Sequence, residues 1–190
     1  CILHPDTTYG RELARLFAQE VRQHEGEVIA IESYKEGEAD VSAQLKRMKA
    51  EDLKRYGLSV PVDETKLTGK LTKLDKKIFY TPGFDAIFIP GRAADAGPLT
   101  PQLNFHDMKF PSLGAKGWTS PAFARTADSS IDGAVFVDGF FVDSPTPTVQ
   151  DFVNRYKKRF QTNPALFAMQ GYDAAKLVLD AVRKGASSGE

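Results

Sequence analysis

Short apolar runs alternate with amphipathic stretches along this chain, and each run closes on turn-forming residues. That alternation constrains the fold more than any other feature. Cys1, Ile2 and Leu3 pass through Pro5 and Asp6 into a helical run from Arg11. There Leu13, Leu16, Phe17 and Val21 recur at three- and four-residue spacing, which predicts one apolar helix face, and Gly26 stands where a helix stops. Residues 27–34 repeat the pattern with Val28, Ile29 and Ile31, and Asp40 is placed to cap a second helix bearing Val41, Leu45 and Met48. Ala86-Ile87-Phe88-Ile89 is unbroken apolar sequence ending in Pro90-Gly91. A strand apolar at every position is covered on both faces, as in a parallel sheet. A third helix over residues 93–104 follows, its regular part confined by Pro98 and Pro101. Then come a strand near Ser112 and Leu113, a loop at 114–121, a short helix at 122–125 and an apolar run at 134–142 interrupted by Asp138-Gly139. Two helices close the chain, 149–160 with Phe152, Val153, Tyr156 and Phe160, and 166–184 with Met169, Tyr172, Leu177, Val178 and Val182. Strands alternating with helices predict an α/β fold built on a doubly wound parallel sheet.

Residues 51–83 break the rhythm. Gly57, Pro61, Gly69, Pro82 and Gly83 punctuate them faster than a helix tolerates, so they read as an elaborated connection, with apolar patches at 58–62 and 78–80 suited to a small hairpin. The 190 residues, 42% of them apolar, suffice for one core or for one lobe and part of another. Opening on a strand-like run without an initiator methionine is expected of a chain that begins inside a fold.

Charge and motif content exclude several functions. Twenty-five basic residues balance twenty-five acidic ones, so no global field draws the chain to nucleic acid or an anionic membrane. No Gly-x-Gly-x-x-Gly is present, Gly69-Lys70 lacks the leading glycine and the hydroxyl of a phosphate loop, and Gly-x-Ser-x-Gly is absent. His4, His24 and His106 have no partner at metal-ligand spacing, and Glu36, Glu38 and Asp40 read as a solubilising loop cluster. No cofactor and no catalytic residue are expected. Cys1 leads directly into Ile2 and Leu3 without the flexible polar tether of a lipid-bearing cysteine, so it reads as an ordinary strand residue. No stretch reaches the roughly 18 consecutive apolar residues of a membrane span.

Four segments in order resemble the type I periplasmic binding proteins of the branched-chain amino-acid (Leu/Ile/Val) receptor kind. They are Ile2-Leu3-His4-Pro5-Asp6-Thr7-Thr8-Tyr9-Gly10 with its helix; Phe84-Asp85-Ala86-Ile87-Phe88-Ile89-Pro90-Gly91; Gly114-Ala115-Lys116-Gly117-Trp118; and Gly133-Ala134-Val135-Phe136-Val137 with the helices holding Phe152-Val153-Asn154-Arg155-Tyr156 and Tyr172-Asp173-Ala174-Ala175. The resemblance implies two lobes that close on a ligand. Residues 1–137 then correspond to the second lobe, with the elaborated connection at 51–83, and residues 138–190 to the hinge return and helices of a first lobe whose N-terminal half is missing. Helices without their sheet expose apolar faces, which predicts tight packing on the visible lobe or on another chain, self-association included.

The resemblance also implies ligand-binding positions. Tyr9 matches the aromatic of the family's Tyr-Gly loop, Arg92 and Ala93 fall where a tyrosine lines the cleft, and Tyr172 matches a cleft tyrosine on the last helix. Lys116 falls where an acidic residue holds the ligand's ammonium, and Trp118, in the same segment, is either a wall residue or core. Lys116 has the wrong sign for an ammonium and Arg92 adds a second cation, so an anionic or amide-like ligand fits this pattern better than a free amino acid. The functional expectation is a periplasmic receptor, lipid-anchored in its full-length form, that delivers a small polar solute (amino acid, amide or carboxylate) to the membrane permease of an ABC-type transporter. The alternative is a regulatory lipoprotein resembling the penicillin-binding-protein activators, with a peptidoglycan synthase as partner.

Overall fold

Ile2 and Leu3 point to opposite faces of one sheet, and the two faces have different covers. Leu3 joins Tyr34, Leu45, Met48, Ile87, Ile89, Leu99 and Trp118 in the larger buried cluster, whereas Ile2 packs with Ala14, Ala18, Phe88 and Ala115. The period-two alternation of a strand therefore assigns consecutive apolar residues to two cores. Each fully buried Leu or Ile contributes on the order of 1.5–3 kcal/mol.

The computed structural model describes residues 1–57, 82–116, 118–127 and 131–186. They divide into two units, Cys1–Val137 and Asp138–Glu190. In the first unit β1 (Ile2–Pro5), β2 (Ile31–Tyr34), β3 (Ile87–Ile89), β4 (Ser112–Gly114) and β5 (Val135–Phe136) form a five-stranded sheet in the order β2-β1-β3-β4-β5. Every pair is parallel, with Pro5 opposite Tyr34, Ile2 opposite Phe88 and Ile89 opposite Gly114. This is the doubly wound architecture that the alternation predicts.

Helix α1 (Thr8–Gln23) covers the Ile2 face. Thr7 caps it, its hydroxyl accepting from the Gly10 amide at 3.0 Å, and Phe17 stacks on Phe88 with ring centroids 4.2 Å apart. The buried stripe is Gly10, Ala14 and Ala18 at four-residue spacing, flanked by half-buried Leu13, Phe17 and Val21. Leu16, expected on the apolar face, is 41% exposed, because small residues let the backbone approach the sheet and shift the contact line away from it. The opposite face takes α2 (Ser42–Arg55), α3 (Ala93–Ala96), α4 (Thr100–Phe105) and α5 (Pro121–Ala127).

Four expectations are corrected here. The α2 cap is Val41, one residue later than expected, while the Asp40 carboxylate accepts from the Ser42 amide at 2.8 Å. Residues 51–55, read as connection, complete α2, and buried Asp52 in it accepts from the Gly83 amide at 2.8 Å. The hairpin patches at 58–62 and 78–80 lie outside the described residues. The run at 134–142 contributes only two strand residues, because β5 has a neighbour on one side alone and Asp138-Gly139 ends it. The expected helix at 93–104 is two short helices separated at Gly97-Pro98-Leu99, where Pro98 supplies no amide donor.

The second unit holds α6 (Pro147–Phe160) and α7 (Leu166–Arg183). Phe152 and Val153 of α6 are buried, and Phe152 meets Phe140 and Tyr172 at centroid distances of 6.1 and 4.6 Å. No residue of α7 is buried, and Phe167 and Leu177 are 79% and 72% exposed. Unit 2 has no strand among the described residues.

Candidate ligand site

All five strands run the same way, so the loops that leave their carboxyl ends share one edge of the sheet. Strand order reverses between β1 and β3, with α1 on one face and α2 to α5 on the other. Open α/β sheets bind ligands in the crevice at such a reversal. The loops after β1, β3 and β4 carry Tyr9, Arg92 and Lys116, and these strands are consecutive neighbours. At about 4.8 Å per strand the outer two are roughly 10 Å apart, the scale of a small solute.

The first loop is fixed at both ends. The Asp6 amide donates to Tyr34 O at 2.7 Å and the Thr7 amide to Pro5 O at 2.8 Å, while Asp6 pairs with Arg11 at 2.5 Å. The chain turns so tightly that a Cβ on Gly10 would lie 2.7 Å from Pro5 Cγ and closer still to the Pro5 carbonyl. Tyr9, in the first turn of α1, is thereby left 50% exposed, presenting a ring that can stack and a hydroxyl that can hydrogen-bond.

Beyond β3 the Gly91 amide donates to Ile89 O at 2.8 Å, and Arg92 begins α3. Arg92 Nε donates to Asp95 Oδ2 at 3.0 Å, and its Nη2 lies 2.9 Å from Glu36 Oε1. The Arg92 side chain is 65% exposed and that of Asp95 only 8%. The Gly37 amide also donates to Asp95, at 3.3 Å. Hydrogen bonding and charge from Asp95, then the charge of Glu36, raise the Arg92 pKa. Beneath this corner Tyr34 is buried against Gly91, its hydroxyl without a hydrogen-bond partner among the described residues. Burial, then the charge of Asp95, pushes the Tyr34 pKa up. Glu36, read from sequence as a solubilising residue, is thus part of the Arg92 corner. The Arg92/Asp95 spacing was visible in the sequence, but Glu36 comes from a loop 56 positions away and left no local signal.

The remaining expected residues fall in different settings. Ala93 is half-buried against the larger core. Lys116 is exposed beyond β4. Trp118 is 3% exposed, stacked on Phe123 at 4.4 Å between centroids, and sits where a Cβ on Gly114 would be 2.5 Å from its Cε3. In this arrangement it is core and offers no wall to solvent. Tyr172 belongs to the second unit, where it takes a hydrogen bond from Arg155 and lies under Arg155 and Lys176, 5.6 and 5.5 Å from its ring centre. It borders a groove of about 460 Å³ with Phe140, Phe141, Phe152 and Met169. Among the described residues no three His, Cys, Asp or Glu side chains are grouped to hold a metal, and no helix is long and apolar enough to cross a membrane.

No curated protein sequence matches the chain. Among solved structures it is similar to a Rhodospirillum rubrum protein solved as a candidate branched-chain amino acid ABC transporter, at TM-score 0.76 and 21% identity over 98% of this chain and 45% of that one. It is also similar to the substrate-binding protein LivJ of Streptococcus pneumoniae in complex with isoleucine, at TM-score 0.61 and 25% identity over 98% and 45%. A third is an ABC transporter solute-binding protein from R. palustris in complex with benzoate, at TM-score 0.60 and 18% identity over 93% and 40%. The chain thus spans less than half the length of these proteins. The family pattern described as Periplasmic binding protein matches residues 1–190. With its parallel sheet and its carboxyl-edge loops in the order described, this chain belongs to the type I periplasmic binding proteins.

Proposed function

We propose that the chain is the sheet-bearing part of an extracytoplasmic receptor, serving the permease of an ABC-type transporter, and that it holds a small carboxylate-bearing solute at the carboxyl edge of its sheet. The observation that carries this reading is the pair of cations, Arg92 and Lys116, beyond the neighbouring strands β3 and β4, with exposed Tyr9 beyond β1. Charge-assisted bonds from such cations to a carboxylate are roughly twice as strong as neutral ones. Isoleucine and benzoate, the ligands of two similar proteins, share a carboxylate and differ in nearly everything else. Lys116 repels an ammonium, so a solute with a carboxylate and no amine suits this edge best, and Tyr9 offers a ring for an aromatic or branched body to rest on. Residues 1–137 take the part of one lobe in this reading and residues 138–190 that of the hinge return and helices of the other. The regulatory alternative draws support from none of these observations.

The test is calorimetric titration of the complete natural chain with benzoate, 3,4-dihydroxybenzoate, L-isoleucine and acetamide. Binding of an acid without an amine, weakened at least tenfold by Lys116→Glu, supports the reading. Binding of acetamide alone, or silence across the panel, sinks it.

A further inference from the structure

Arg92 has two carboxylate partners of opposite character. Asp95 is a firm one, since its side chain is 8% exposed and it accepts from both Arg92 Nε and the Gly37 amide. Glu36 is a labile one. Its side chain is 47% exposed, and it meets Arg92 Nη2 at 2.9 Å from a loop beyond the edge strand β2. Exposed pairs of this kind are weak, so thermal motion opens them readily. A buried carboxylate with two donors does not let go in that way, because removing it from its partners leaves a buried charge unpaired.

The charge count at this corner follows from the same contacts. One guanidinium faces two carboxylates, Glu36 and Asp95, which leaves the corner one negative charge in excess. An incoming carboxylate meets a cation already neutralised, unless one of the two acids withdraws. Glu36 is the acid free to do so.

Resting on the receptor reading above, we infer that Glu36 is a specificity-determining residue of this site. Its carboxylate holds the place on Arg92 that a solute carboxylate takes, and a solute enters by displacing it, while Asp95 positions the guanidinium throughout. Glu36 then screens solutes. A ligand gains from Arg92 only if its own carboxylate bonds the guanidinium better than Glu36 does, so neutral solutes gain nothing there and a second carboxylate on the solute is repelled by Asp95.

The experiment is a double-mutant cycle in the complete natural chain, read by calorimetric titration of benzoate and of L-isoleucine. Glu36→Gln and Arg92→Gln both alter exposed side chains, and circular dichroism checks that each variant keeps the wild-type fold. Glu36→Gln is expected to tighten the bound acid about 2- to 5-fold, the equivalent of releasing one exposed pair. Arg92→Gln is expected to weaken it, and Glu36→Gln added to Arg92→Gln is expected to change nothing further. Unchanged or weaker binding by Glu36→Gln overturns the inference. So does an equal gain with and without Arg92, which would mean simple repulsion by Glu36 instead of competition for the guanidinium. Either result leaves the receptor reading standing. Failure of wild type to bind benzoate, 3,4-dihydroxybenzoate or L-isoleucine overturns both.

Discussion

Replacing Gly10 by alanine sets two effects against each other at the turn that presents Tyr9. Gly10 lies inside α1, and helix propensity alone predicts a gain of up to about 1 kcal/mol from Gly→Ala. The added Cβ, however, would lie 2.7 Å from Pro5 Cγ and 2.9 Å from Pro5 Cδ, with the Pro5 carbonyl nearer still. Carbon atoms settle at about 3.5–4.0 Å, so α1 must retreat from β1 by roughly 0.8 Å or more. That retreat opens the line where Ala14 and Ala18, each 3% exposed, meet the sheet, and it separates Phe17 from Phe88. Overpacking a tight contact costs about 1–3 kcal/mol, which outweighs the propensity gain. The net expectation is a loss of about 1–2 kcal/mol, or a melting temperature lower by roughly 2–8 °C for a chain of this size. Thermal and urea denaturation followed by circular dichroism read it. Gly171→Ala in α7, where an added Cβ meets nothing within 4 Å, is the matched control and is expected to be neutral or stabilising. A Gly10→Ala protein as stable as wild type, beside a well-behaved control, would refute the reasoning that close approach of α1 to β1 builds this turn.

Trp118→Ala removes an indole that is 3% exposed and stacked on Phe123, and is expected to cost about 3–5 kcal/mol by urea titration; a loss under about 1 kcal/mol would mean that Trp118 is not core. Acid should weaken the α2 end of the first unit. The Lys35 amide and the Gln44 side chain hold Glu38 below the usual carboxylate range, and the Ser42 hydroxyl and amide hold Asp40 below it. Both groups therefore bind fewer protons folded than unfolded. Their stabilisation is complete above the unfolded pKa values of about 4 and is lost as pH falls through the lower folded values. The urea midpoint should drop on going from neutral pH to below those values, and less so in Glu38→Gln/Asp40→Asn; an equal drop in that variant contradicts the assignment. Leu177→Gln on α7, at a side chain 72% exposed, is expected to change the stability of this chain by no more than about 0.5 kcal/mol, and a larger loss would show the α7 face to be covered.

The sheet was legible because parallel strands covered on both faces must be apolar throughout, and Ile87-Phe88-Ile89 has no other good home. Strand order followed from the same alternation only as a class; the register of Pro5 against Tyr34 needed the folded chain. Where reading failed, a long-range contact had decided. Leu16 scored as apolar but lost its place to Ala14 and Ala18, whose small size permits the closest approach. Trp118 carried two readings until Phe123 and Gly114 enclosed it, and neither neighbour is marked in the sequence as its partner. Tyr9, Arg92 and Lys116 came from the family resemblance, and the parallel sheet puts their loops on one edge. The pairing of Arg92 with Glu36 was illegible, since an acidic loop residue looks the same whether it meets solvent or a guanidinium.

Amide chemical-shift mapping of the complete natural chain, titrated with benzoate, bears most directly on the claim that a carboxylate sits at the carboxyl edge of the sheet. The account predicts saturable shifts at residues 6–10, 91–93 and 115–116, the loops that leave β1, β3 and β4, with the amide of Glu36 moving alongside. Saturable shifts that spare those loops and gather instead near Arg15 and Arg22 on the outer surface of α1, or no saturable shifts at all, would contradict it.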